Sequence, residues 1–192
     1  GVDCYRGSLN DVLDRFYQAA KLHNPEHVVR LTGDCPLVDH GLVDEIIYKF
    51  KSLNVDYLSN NNPPTYPDGL DIEVFSFKAL KKANNEACSL FDREHVTPYL
   101  RNKSIFTSSV IKNSEDLSSL RWTVDEDIDF YVIDKVFQYF HPRIDFTWKE
   151  VLKLYSKQKE LFNSNSHVKR NEGAEMGTSQ KLWKRAKKII PG

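Results

Sequence analysis

Apolar positions along this chain switch between a spacing near 3.6 residues and short alternating or continuous runs, and the switches mark out elements. Leu9, Val12, Leu13, Phe16 and Ala20 recur at helical spacing, which predicts a helix to about Leu22, with Ser8 and Asp11 as a capping box at its start. Residues 2–5 read as the end of a short strand, so Arg6-Gly7-Ser8 becomes a strand-to-helix turn. Val28 to Leu31 reads as a buried strand running into Thr32-Gly33-Asp34-Cys35-Pro36. A helix follows over about 41–53, capped by Asp39, with Leu42, Val43, Ile46, Ile47 and Phe50 on one face. Val55 to Ser59 is the next strand. Strands alternating with helices in this way predict an α/β fold, a mostly parallel sheet with helices on both faces.

Asn60 to Pro67 holds three Asn and three Pro and should be an exposed loop. In Asp68 to Phe75 the acids Asp71 and Glu73 alternate with Leu70, Ile72 and Val74, as in a half-buried strand with a solvated acidic side. Ser76 caps a helix to about Ala87. Arg93, Glu94 and His95 are consecutive and would spread around a short helical piece before Pro98, so at least one of them should meet a pocket or partner. Strands are expected over 105–111 and 120–124, the second ending in four acids between Asp125 and Asp129. Phe130, Ile133, Val136, Phe137 and Phe140 mark a helix closed by His141-Pro142, and Thr147 with Glu150 caps another to about Phe162. The pattern divides the chain into a domain over 1–162, a polar linker over 163–180 and a basic amphipathic stretch, Lys181 to Ile190, that opens a further unit over 181–192.

Composition narrows this picture. The 192 residues are 40% apolar, which supports a packed globule, and the net charge is zero. Residues 163–192 carry seven Lys or Arg against two acids, leaving 20 basic and 25 acidic residues in 1–162. A mildly acidic body argues against nucleic acid as a partner. Three cysteines without a C-x-x-C pair point to reduced thiols in a cytoplasmic protein rather than a disulfide framework or zinc site. No apolar run approaches a membrane span of ~18 residues, and no signal peptide opens the chain. The chain begins with Gly, in what reads as the middle of a fold, and is expected to be a fragment.

Candidate chemistry lies at the ends of two strands. Asp34 follows the strand at Val28 and Asp125 follows the strand at Leu120; in open α/β sheets ligands collect at such ends. Two carboxylates with phosphate oxygens and water are what a magnesium ion needs. The plainer alternatives are a turn whose Asp34 bonds its own backbone, and acids at 125–129 that only favour a helix N-terminus.

Five motifs then carry a family resemblance: R-G-S-x-x-D-V-L-D-R from Arg6, G-D-C-P-L-V-D from Gly33, Y-P-D-G-L-D-I-E-V-F from Tyr66, R-E-H-V-T-P-Y from Arg93 and T-V-D-E-D-I-D-F from Thr123. In this order they resemble the cytidylyltransferase family of the spore-coat polysaccharide biosynthesis type, relatives of the enzymes that make CMP-activated sugar acids. The resemblance implies a Rossmann-like nucleotide-diphospho-sugar transferase fold and transfer of CMP from CTP to a sugar, with a sugar acid as the expected acceptor, releasing pyrophosphate. It implies Asp34 and Asp125 as catalytic magnesium ligands, with Asp129 as a further metal acid that could act through water or only cap the helix. Arg6, Gly7, Ser8 and Gly33 would lie beside the nucleotide, and Asp68, Asp71, Glu73, Arg93 and His95 on the acceptor side. A homodimer is compatible with it.

Two departures matter. The family's first strand and its Q-A-R-x-x-S-x-R-L-P-x-K phosphate loop have no counterpart in these residues, so the fragment alone is expected to be inactive. The late motif reads D-E-D-I-D where the family often has D-T-P-E-D. The tail, Gly177 to Gly192, is similar to the opening of class III, pyridoxal-phosphate-dependent aminotransferases, which implies fusion to such a domain and pyridoxal phosphate only downstream. Competing readings are a metal-dependent glycosyltransferase and a non-catalytic nucleotide-sugar-binding module.

Overall fold

Four strands make one mixed sheet in the order β1-β3-β2-β4, where β1 is His27–Arg30, β2 Tyr57–Ser59, β3 Glu73–Ser76 and β4 Ser108–Val110. The computed structural model describes residues 1–168 and 170, so the aminotransferase-like tail, the helix expected over Lys181 to Ile190 and most of the expected linker lie outside the described residues. β2 and β4 are parallel, whereas β3 is antiparallel to both β1 and β2. Three strands therefore share a direction and one is reversed between them. The sheet is parallel only in part because no helix lies between β2 and β3, and a parallel return needs a crossover connection.

Seven α-helices are described, and most begin where a side chain can serve an orphan N–H group. α1 (Val12–His23) is capped by Asp11, which accepts from Asp14 N at 3.0 Å, and not by Ser8 as the S-x-x-D spacing predicts. Residues 2–5 form no strand. α2 (His40–Leu53) and α3 (Phe77–Glu86) start at Asp39 and Ser76 as expected. α4 is Leu90–His95, α5 Asp127–Phe140. The helix expected to reach Phe162 breaks at Gln158 into α6 (Trp148–Lys157), opened by the Thr147–Glu150 box, and α7 (Lys159–Asn163). The strand expected at Leu120 to Val124 is reduced to a single parallel bridge between Asp68 and Arg121. No helix among the described residues is long and apolar enough to cross a membrane.

The period-two pattern of β3 sorts the core into two layers. Leu70, Ile72 and Val74 face Leu42, Ile46 and Phe50 of α2, Val132, Ile133 and Val136 of α5 and Trp148, Val151 and Leu154 of α6. Phe75 faces the other layer, with Leu13 of α1 and Ala79, Leu80 and Ala83 of α3. Helices thus cover both faces of the sheet. β1 lies at the edge and is half-buried along its length, unlike the buried strand its apolar run predicts.

Glu73 corrects the expectation of a solvated acidic face: its side chain is 1% exposed. It accepts hydrogen bonds from Arg30, from the Tyr57 hydroxyl and from Arg101 Nη2 at 2.8 Å. Burial works to raise its carboxyl, but the two guanidinium groups and the hydroxyl outweigh that and hold it below its ordinary value. The cluster binds β1, β2 and β3 to the short 3-10 turn Tyr99–Arg101.

One glycine is demanded by geometry. Gly69 has φ of +109°, and a Cβ there would lie 2.6 Å from the Trp122 carbonyl carbon and 2.7 Å from Thr123 N. Close approach of the two backbones is what lets Asp68 N donate to Leu120 O at 2.8 Å and Trp122 N to Asp68 O at 2.6 Å. Gly69→Ala is expected to lower the unfolding free energy by about 2 kcal/mol or more, read as a lower urea midpoint with an unchanged slope; an unchanged midpoint would show that this contact is not a constraint.

Candidate functional site

The loop after β1 is shaped by local bonds. Cys35 N donates to Thr32 O at 3.3 Å, Val38 N to Cys35 O at 3.2 Å, and Asp39 turns the chain into α2 by accepting from Leu42 N at 2.8 Å. The other Asp39 oxygen accepts from Trp148 N at 2.9 Å, pinning α6 to the same turn. This fixes Asp34, half-buried, at the end of the strand.

A second segment meets it from far along the chain. Val124 N donates to Asp34 O at 2.8 Å and Thr123 Oγ1 donates to the same oxygen at 3.1 Å. The T-V-D segment is therefore locked to the backbone of Asp34, and Asp125 follows directly. Its side chain is 54% exposed and accepts from Arg121 Nη2 at 2.9 Å. Gly33 is exposed, and a Cβ there would meet nothing within 4 Å, so open space lies beside this turn.

Arg121 is the hub. Its guanidinium, 5% exposed, donates to Asp129 through Nε at 2.9 Å and Nη2 at 2.8 Å, and reaches Asp68 Oδ2 at 3.3 Å. Asp129 is fully buried. Beyond Arg121 it accepts from Asp125 N at 3.1 Å, Glu126 N at 3.0 Å and Asn165 Nδ2 at 2.9 Å. Five donors on two oxygens leave no face for an ion, so Asp129 serves the α5 cap and anchors Arg121 instead of acting as a metal acid. Burial works to raise its carboxyl, yet the Arg121 fork, the backbone N–H groups and Asn165 prevail and hold it below its ordinary value.

The acceptor-side candidates divide. Asp68 lies between Arg121 and Arg170, and burial pushes its carboxyl up to about 6, with Arg170 and Arg121 opposing and Asp71 and Asp125 adding repulsion. Asp71 pairs with Arg170 and accepts from Asn61 Nδ2 at 3.3 Å. Glu73, two residues on, is sealed in the core cluster and does not open onto this pocket. Arg93 grips Asp11 through Nε at 3.0 Å and Nη2 at 2.6 Å and donates to Asn84 O at 2.7 Å, so it ties α4 to the start of α1. His95, half-buried, has its ring 4.6 Å from that of Phe91. It precedes Val96, whose φ of +72° is rare for a β-branched residue. Arg6, Gly7 and Ser8 are exposed ahead of α1, where Ser8 O accepts from Arg15 Nη1 at 3.3 Å.

Asp34 and Asp125, on adjoining segments, suit a cation that takes one or two carboxylates and fills its remaining positions with phosphate oxygens and water. They suit a caged ion less well: no group of three or more His, Cys, Asp or Glu that could hold a metal occurs among the described residues. Cys35 is no ligand in waiting, since burial pushes its thiol up to about 12 and the neighbouring acids add to the effect.

Sequence reasoning missed Arg121, Asn165 and Arg170. Arg121 left a trace, an Arg inside the apolar run L-R-W-T-V with an acid four residues on. Asn165 left none. It was expected in the linker, yet it is fully buried. Asp129→Asn should cost about 3 kcal/mol at pH 7, because it removes the fully buried carboxylate that holds Arg121 through two bonds and leaves it Asp125 and the more distant Asp68. Since the Asp129 carboxyl is lowered in the folded state, its contribution is present above about pH 3.9 and is lost as pH falls through the folded value. The stability gap between wild type and variant, measured by urea unfolding, should therefore narrow below about pH 4; a constant gap would contradict the assignment.

Comparison with known proteins agrees on one family. The model for a family described as cytidylyltransferase matches residues 1–170. An uncharacterised protein of Methanocaldococcus jannaschii is 35% identical over 179 residues, covering 92% of this chain and 72% of that protein. The spore coat polysaccharide biosynthesis protein SpsF of Bacillus subtilis is 30% identical over 161 residues, covering 82% of this chain and 66% of its own length. The solved structure of a cytidylyltransferase from Leptospira borgpetersenii superposes with a TM-score of 0.81 at 32% identity, over 84% of this chain and 69% of that one. The family match ends at the residue where Arg170 enters the acid pocket.

Proposed function

The chain belongs to the cytidylyltransferase family, and from that premise we propose that it transfers CMP from CTP to a sugar hydroxyl, with a sugar acid as acceptor, in the biosynthesis of a surface or spore-coat polysaccharide. The observation that carries the proposal is the pair of hydrogen bonds, at 2.8 and 3.1 Å, that hold the Thr123–Val124 segment on the backbone of Asp34. They join two acid-bearing segments 89 positions apart. The relative SpsF, named for spore coat polysaccharide biosynthesis, supports the pathway.

In this reading the acceptor hydroxyl attacks the α-phosphorus of CTP, the bond to the β-phosphate oxygen breaks, pyrophosphate leaves and the hydroxyl proton is released. Little of that needs covalent help from the protein; positioning and charge neutralisation dominate such transfers. Asp34 and Asp125 would hold magnesium, which when bound supplies charge neutralisation at the phosphates. Arg121 keeps Asp125 oriented while leaving it half in solvent. Asp68, which shares the Arg121 guanidinium with Asp125, and Asp71 would accept hydrogen bonds from sugar hydroxyls. The chain spans 72% of the Methanocaldococcus jannaschii relative, and the assay uses the polypeptide as it is made naturally.

In that polypeptide Asp34→Asn should abolish pyrophosphate release from CTP, Mg²⁺ and a panel of sugar acids, while circular dichroism and the urea midpoint stay at wild-type values. Turnover within twofold of wild type would contradict the role given to Asp34.

A further inference from the structure

The segment after α7 delivers a cation to the acid pocket. Ser164, Ser166 and Val168 each donate a backbone N–H to the carbonyl three residues earlier, at 3.3, 3.2 and 3.1 Å, and Asn165 at its centre is fully buried. Asn165 Nδ2 donates to Arg121 O at 3.2 Å and to Asp129 Oδ1 at 2.9 Å, so the segment is stitched to the hub. From that anchor Arg170 reaches over the acids. Its Nε lies 3.5 Å from Asp68 Oδ1 and its Nη2 donates to Asp71 Oδ1, while Nη1 is buried without an acceptor.

The electrostatics of the pocket give this contact a purpose. Asp68 and Asp125 sit on the same Arg121 guanidinium, at 3.3 and 2.9 Å, and the segment that ends in Asp125 is bonded to the backbone of Asp34, so these acids share one field. Arg121 is already committed to the Asp129 carboxylate and to Asp125. Arg121 also reaches Asp68, at 3.3 Å, so Arg170 is the second guanidinium on Asp68 and the one that pairs with Asp71. A guanidinium tethered to the chain is present at high effective concentration, whereas a divalent cation must come from solution. A guanidinium on Asp68 and Asp71 and a divalent cation on the neighbouring Asp34 and Asp125 repel each other.

We infer that Arg170 is an intramolecular counter-ion of the acid pocket that opposes the entry of a divalent cation, so that seating of Arg170 and binding of the metal are negatively coupled. The inference rests on the magnesium assignment proposed above. By reciprocity, a bound metal loosens Arg170 from Asp71 as much as Arg170 weakens the metal.

The test is Mn²⁺ binding to the natural full-length protein without nucleotide, followed by paramagnetic resonance of the free ion. Arg170→Ala should bind Mn²⁺ about tenfold more tightly than wild type, and Arg170→Lys, which keeps the charge, should gain less. Should Arg170→Ala fold poorly, Arg170→Gln must show the same gain. Affinity that is unchanged or weakened on removing the charge overturns the inference. Asp34→Asn separates the two claims: if Mn²⁺ binding is lost with Asp34→Asn but is indifferent to Arg170, the metal site stands and the counter-ion falls. If no Mn²⁺ binding depends on Asp34, the metal assignment fails and the counter-ion role falls with it.

Discussion

A buried guanidinium held by a buried carboxylate, Arg121 on Asp129, is the constraint on which the candidate site depends. Such a pair is costly to desolvate and only fully satisfied geometry sustains it. Here Asp129 receives donors from the side chains of Arg121 and Asn165 and from the backbone of Asp125 and Glu126. Each of those bonds sets something functional. The backbone bonds start α5 and present Asp125, the Asn165 bond brings in the segment that carries Arg170, and the free edge of Arg121 reaches Asp68. Remove the pair and three of the pocket's acids lose their reference point.

Glycine and alternation do the remaining positioning. Gly69 permits the backbone of Asp68 to bond both Leu120 and Trp122, which places Asp68 against the segment that ends in Asp125. Just beyond, the chain enters β3, where Glu73 points into the layer of Tyr57 and Phe75 and becomes the centre of a second ionic cluster. Asp71 and Glu73, two residues apart, thus have opposite fates. One lines the pocket and the other binds three strands together.

This division explains what could be read from sequence and what could not. Helix starts at Asp39, Ser76 and Thr147 were legible because capping is local chemistry, and the two-faced core followed from periodicity. The strand-end position of Asp34 was legible for the same reason. The cap at Ser8 was misread because Asp11 offers a competing cap three residues later, and only tertiary context, the Arg93 fork on Asp11, selects it. Glu73 looked solvated because its partners Arg30 and Arg101 lie 43 and 28 positions away. Asn165 and Arg170 were assigned to a linker because polar residues carry no periodic signal even when buried. Long-range ion pairs escape local pattern, and here they are what assembles the site.

We propose that Asp34, in the turn after β1, and Asp125, on the segment bonded to that turn, form one cation site. Anomalous diffraction from crystals of the natural full-length protein grown with Mn²⁺ and CTP tests it most directly. A single manganese peak within ligand distance, about 2.2 Å, of carboxylate oxygens from both Asp34 and Asp125 and of a CTP phosphate oxygen is the predicted result. Nucleotide bound with manganese away from this pair, or with Asp125 still closed on Arg121 and no metal beside it, would contradict the account.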